Sequence, residues 1–295
     1  MQILVNQERL DYDLEDESSL GEVIDELAAW LQSGKFAITS FDINDTTFAI
    51  HDRSSWQDIE LSDVRELSVE AIPLAQADHA TLIALDECCY LVTSALEQGN
   101  RDLIEELAEE LPYVQRRLAR FFPSLASTDG AISFCSDPDL EAGRLPGASA
   151  TEDIIREIAD LRTLIASRER EYREPERELA LSLGQLAGMT DLLIEVPVQL
   201  QTGAESAAMR TIITLTELMA RVVRLVPMVV PGERPAEIDM AGVRRFTEDI
   251  LPQLTELKEA FEVLDSVLIG DLLEYEIAPR LERLAELLPR SHEET

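Results

Sequence analysis

Near Pro73 the spacing of apolar residues changes from every second position to every third and fourth, and the helical spacing then runs almost to the end of the 295-residue chain. A two-residue period buries one face of a strand, and a 3.6-residue period buries one stripe of a helix. The switch therefore predicts a small mixed α+β head, residues 1–73, followed by an all-α body, residues 74–295, built as a bundle or short solenoid of helical hairpins. Both parts are long enough to bury a core.

Charge narrows the partners. The chain carries 59 acidic and 25 basic residues, a formal net charge of −34. Nucleic acid and anionic membrane have the same sign and are repelled, so the expected partners are neutral or basic proteins. The same acidity also fits a surface kept hydrated in salty surroundings. Cys88, Cys89 and Cys135 are odd in number and two are adjacent, which predicts no disulfide framework and a reducing, cytoplasmic setting. The start, MQILVNQERL, does not read as a signal peptide. Met209 to Val230, the most apolar stretch, is interrupted by Arg210, Glu217, Arg221 and Arg224 and reads as a buried helix, not a membrane span.

In the head, Ile3 and Val5, then Leu10, Tyr12 and Leu14, alternate on either side of Asn6-Gln7-Glu8-Arg9 and predict a β-hairpin. Ser19 and Glu22 form a capping box for a helix whose apolar face is Leu20, Val23, Ile24, Leu27 and Leu31, ending at Gly34. Strands are expected around Phe36 to Ile43, Thr47 to Ile50 and Leu67 to Ala71, with a short turn at Leu61 to Val64. This order resembles the ubiquitin-like β-grasp fold over the first quarter of the chain. The resemblance implies a mixed sheet wrapped around one helix, with the final strand beside the first. Carriers of that fold end in a Gly-Gly tail, whereas Ala71-Ile72-Pro73-Leu74 runs straight into the body. What remains is a binding module. Of the only tryptophans, Trp30 reads as core, and Trp56, in the polar stretch HDRSSWQD, either folds back over the sheet edge or stands out as an aromatic anchor.

Helices are expected in the body near 76–98, 101–121, 152–173, 176–200, 204–226, 238–264 and 267–288. Pro123 to Ala150, with three prolines and three glycines, reads as a long loop or mobile crossover. A second break falls at 229–238. The segments Gly99 to Pro123 and Gly203 to Pro227 align without a gap, pairing Leu111 with Leu215, Arg117 with Arg221 and Arg120 with Arg224. They suggest a duplicated hairpin. Pro112, Pro197, Pro252 and Pro279 should each kink a helix or start one, and kinks open grooves for an amphipathic partner helix.

Familiar chemistry finds no foothold in the residues. His51, His79 and His292 are the only histidines, with no Glu-x-x-His pair of the di-iron type. There is no Gly-rich phosphate loop, nucleophile elbow or zinc spacing. Glu105-Glu106-Glu109-Glu110 reads as a solvated face. Asp86 and Glu87 beside Cys88-Cys89 raise the thiol pKa, against nucleophilic use. In GDLLEYEIAP, Tyr275 between Glu274 and Glu276 suits partner recognition as well as ordinary helix packing. Read this way, the chain is a non-enzymatic adaptor or scaffold without cofactor or metal. Its candidate interaction residues are Trp56, Tyr275, Glu274, Glu276, Arg117 and Arg221. An acidic helical chaperone of the secretion or flagellar-export type is the alternative, and a nucleic-acid mimic a third reading.

Overall fold

The computed structural model describes residues 1–11, 17–50, 52–126, 132–229, 238–263 and 265–287. Five strands, β1 Gln2–Val5, β2 Glu8–Leu10, β3 Phe36–Ile43, β4 Thr46–Ala49 and β5 Glu66–Pro73, form one mixed sheet in the order β2-β1-β5-β3-β4. β1 and β5 run parallel with Ile3 opposite Leu67, and the other pairs are antiparallel. Helix α1, Leu20–Ser33, lays Leu20, Val23, Ile24, Leu27 and Leu31 into a core shared with Phe41, Leu67 and Val69. The capping box forms: Glu22 N donates to Ser19 Oγ at 3.4 Å, and Ser19 N donates to Glu22 Oε2 at 3.3 Å. Tyr12 and Leu14 lie outside the described residues.

Both hairpin turns begin with an asparagine at positive φ, Asn6 at 52° and Asn44 at 49°, which that side chain tolerates better than most. Each then anchors the central strand. Asn6 exchanges two hydrogen bonds with the Ala71 backbone at 2.8 and 2.9 Å, and Asn44 Oδ1 accepts from Arg65 N and Glu66 N at 2.8 and 3.1 Å. Opposite ends of β5 are thereby pinned by the two turns.

β5 ends at Pro73 and α2, Leu74–Gln98, starts at the next residue, with Leu74 N donating to Lys35 O at 2.8 Å. The chain divides into two compact units, Met1–Tyr172 and Arg173–Thr295. The switch at Pro73 thus lies inside the first unit, where head and helices keep separate cores. Besides α1, the α-helices of this unit are α2, α3 Arg101–Ala108, α4 Leu111–Phe121, α5 Pro123–Ala126, α6 Pro138–Glu141 and α7 Ala148–Arg173, whose last residue begins the second unit.

The expected loop from Pro123 to Ala150 is corrected by the structure. Outside 127–131, which are not described, the segment folds into short helical turns that bury Phe134, Cys135 and Leu140. Glu157 of α7 accepts from Ser133 N at 2.6 Å, from Phe134 N at 3.4 Å and from the Ser133 hydroxyl at 2.5 Å.

The second unit contains α8 Pro175–Ala187, α9 Thr190–Gln201, α10 Glu205–Leu225, α11 Met240–Glu262, α12 Ser266–Asp271 and α13 Ala278–Glu282, with a π-helical segment Leu272–Ile277 before α13. Leu183, Leu193, Leu215, Val222, Ile250 and Leu273 belong to one continuous core. Most of the break expected at 229–238, residues 230–237, is not described. Pro112 lies in the first turn of α4 and Pro279 in the first turn of α13, whereas Pro197 and Pro252 sit inside continuous helices. The single helix expected over 176–200 is instead broken at Gly188-Met189, where α8 and α9 bend by 47°. No helix among the described residues is long and apolar enough to cross a membrane. The two aligned segments differ in helix number: Gly99 to Pro123 contains two helices, and Gly203 to Pro227 contains one.

Candidate functional site

In the first unit, strands β3 and β5 and helices α2 and α4 enclose a groove of about 590 Å3. Its wall on α2 includes a run of alanines between larger residues. Ala77, Ala80 and Ala84 follow one another at helical i, i+3 and i+7 spacing, so one face of α2 lacks bulk where it passes the strands. Apolar surface is available at the rim, where Leu91 is 40% and Tyr113 38% exposed. A β-bulge between Ile38 and Ser40 places Thr39 at the groove, with its hydroxyl donating to Glu70 O at 3.2 Å.

Charge around the groove is uneven. Glu87 and Glu110 line it with no cationic partner among the described residues, while the two arginines are engaged by their own surroundings. The Arg117 guanidinium lies 4.9 Å from the Tyr113 ring centroid, a cation–π arrangement. Arg120 Nη2 donates to Asp78 Oδ1 at 2.7 Å, and the Tyr172 hydroxyl donates to Asp78 Oδ2 at 3.2 Å. Asp78 is buried, so these two bonds offset its desolvation. Burial and the Asp78 charge push the Tyr172 phenol up to about 12. Beside this node His79 Nε2 lies 3.2 Å from Glu169, so the end of α7 is tied to the start of α2 twice.

Trp56 is not an exposed anchor: its ring is 2% exposed, packs edge-on against Phe41 at 5.1 Å, and donates Nε1–H to Ala49 O at 3.1 Å. The polar loop carrying it closes onto α1, whose early backbone donors need acceptors. Leu20 N donates to Ile59 O, and Gly21 N to Gln57 O at 3.1 Å, an approach that leaves a Cβ at position 21 only 3.0 Å from that oxygen. Trp30, expected as core from its place late in the helix, is instead 55% exposed, and Phe36 is 40% exposed.

The remaining candidates separate. Arg117 lines the groove, half-buried. Arg221 sits in the second unit, 20% exposed, donating to the buried carboxylate of Glu178. Glu274, Tyr275 and Glu276 all fall on the π-helical segment. Tyr275 is 64% exposed, and its pairing with Glu274 raises the phenol pKa. Glu276 accepts from Arg280 Nη1 at 2.8 Å.

Among the described residues, no group of three or more His, Cys, Asp or Glu is arranged to hold a metal ion. His51 and His292 lie outside the described residues. Burial raises the pKa of all three cysteines, Cys89 to about 12, so they are thiols at neutral pH.

Against known proteins, residues 1–73 match the family model described as the TP0873 N-terminal domain, and residues 182–287 match a domain of unknown function, DUF8042. No curated protein and no solved structure matches the chain. The first match ends where β5 meets α2, and the second runs from within α8 to the end of the described residues.

Proposed function

We propose that the chain is a non-enzymatic protein-binding adaptor, whose first-unit groove receives an amphipathic segment with an apolar face and basic residues along its edge. The observation that carries this reading is the alanine-walled groove itself. Its apolar rim at Leu91 and Tyr113 is flanked by Glu87 and Glu110, on a chain whose net charge is −34. A groove of this kind suits the anchors of a helix laid across it, and the acidic flank selects against an anionic partner. The strand order and the parallel β1–β5 pair support taking the head as a β-grasp binding module. An acidic chaperone of the secretion or flagellar-export type is the second reading, favoured by exposed Leu192, Ile194 and Val198 along α9.

Ala84→Trp fills the groove from an exposed position without disturbing a core. In affinity capture from the native lysate, a partner held by the wild-type chain should be lost by this variant. Its binding should also show a large negative heat-capacity change. Partners indifferent to Ala84→Trp, or turnover of a metabolite by the purified chain, would overturn the reading.

A further inference from the structure

We propose that the second unit carries an anion-recognition site that takes a carboxylate attached to an aromatic or apolar group. This site stands on observations separate from the groove of the first unit. It is a pocket of about 740 Å3 lined by residues of α11, the π-helical segment, α13 and the turn that follows. That volume suits a small organic acid or the end of a peptide.

Three arginines line it: Arg245 from α11, and Arg280 and Arg283 three residues apart after the π-helical segment. Such a concentration is unusual in a chain with 25 basic residues against 59 acidic ones. Two carboxylates, Asp249 and Glu276, share the lining. Three positive and two negative side chains leave one positive charge. Glu276 holds Arg280 through its carboxylate at 2.8 Å, while Arg245 Nε donates only to the Ala241 carbonyl at 3.3 Å. Neither Arg245 nor Arg283 has a carboxylate partner among the described residues. Like charges brought together repel, and one further monoanion balances them. The planar fork of guanidinium matches a carboxylate with two parallel hydrogen bonds. A phosphomonoester, nearly dianionic at neutral pH, overshoots the balance.

The same pocket supplies apolar surface from Phe246, Tyr275, Pro279, Leu284 and Leu287. Pro279 also accounts for the local backbone. Its ring collides with the carbonyl four residues back in an α-helix, and the segment before it opens to π geometry, with Ala278 N donating to Leu273 O five residues back. π segments recur at functional sites. Here the wider turn carries Tyr275 and Glu276, both exposed and both lining the pocket.

Isothermal titration of the full chain with N-acetyl-phenylalanine, its amide and inorganic phosphate tests the proposal. The acid should bind saturably, and the amide and phosphate roughly tenfold or more weakly. Arg245→Gln and Arg283→Gln, both at exposed positions, should each weaken the acid roughly tenfold, whereas Arg210→Gln, outside the pocket, should leave it unchanged. Melting curves that match the wild type separate lost binding from lost folding. A peptide ending in phenylalanine with a free carboxylate distinguishes the source: tighter binding than the small acid points to a protein terminus, and weaker binding to a free organic acid. No saturable binding of the acid, equal binding of acid and amide, equal binding of phosphate, or indifference to both arginine substitutions overturns the proposal.

Discussion

Gly99 to Pro123 and Gly203 to Pro227 have the same length, the same end residues and the same hydrophobic phase, yet they fold into different objects. Ile104, Leu111, Leu118 and Phe121 are buried in the first, and their aligned partners Ala208, Leu215, Val222 and Leu225 are buried in the second. Both leading glycines take positive φ, 62° and 79°, ending the helix before them. The divergence lies at one position. Pro112 opens a new helix after Glu109-Glu110, whereas its aligned residue Thr216 lies within the continuous helix α10, its hydroxyl donating to Ile212 O at 3.1 Å. Phase sets which face is buried, and a single ring sets whether the helix is one piece or two.

The arginines of the two segments diverge as well. Arg221 neutralises a buried carboxylate, and Arg117 lies over an exposed tyrosine. Arg221→Ala should therefore have the largest effect, about 3 kcal/mol or more by urea unfolding, because it removes the guanidinium from buried Glu178. Thr216→Pro should cost about 3 kcal/mol, since it imposes on α10 the break that α4 is built around. A loss well below 1 kcal/mol would mean that the two segments are interchangeable after all. The reverse change, Pro112→Ala, should cost only about 1 kcal/mol or less, because a first-turn proline has no intrahelical hydrogen bond to lose. Arg117→Ala should shift stability by about 0.5–1 kcal/mol, the scale of an exposed cation–π pair, while weakening capture of the groove's partner. If Arg117→Ala unfolds the chain as severely as Arg221→Ala, the two arginines share one role.

The parts legible in the sequence were those set by near neighbours. The capping box at Ser19 and Glu22, the turn at Asn6 and the stripe of α1 all follow from local spacing. The tryptophans were decided by distant partners: Phe41 and Ala49 hold the loop residue Trp56 in the folded-back arrangement, while the buried stripe of α1 runs through Leu27 and Leu31 and leaves Trp30 outside it. Pro123 to Ala150 looked like a loop because its few large side chains carry no period. It is ordered by Glu157, a residue on another helix. The Arg245, Arg280 and Arg283 pocket joins positions 35 and 38 residues apart, and only the packing of α11 with the π segment reveals it.

The pinned central strand has a mechanical consequence. β1 and β5 are parallel, so the N-terminus and the strand-to-helix junction at Leu74 leave their shared ladder at opposite ends. Tension applied between them cannot unzip that ladder rung by rung; it must shear all its bonds together, with the Asn6 staple to Ala71 loaded at the same moment. Because no slack separates Pro73 from Leu74, force arriving along α2 enters the ladder directly. Pulled at these two points, the sheet is therefore loaded in shear and not in peeling.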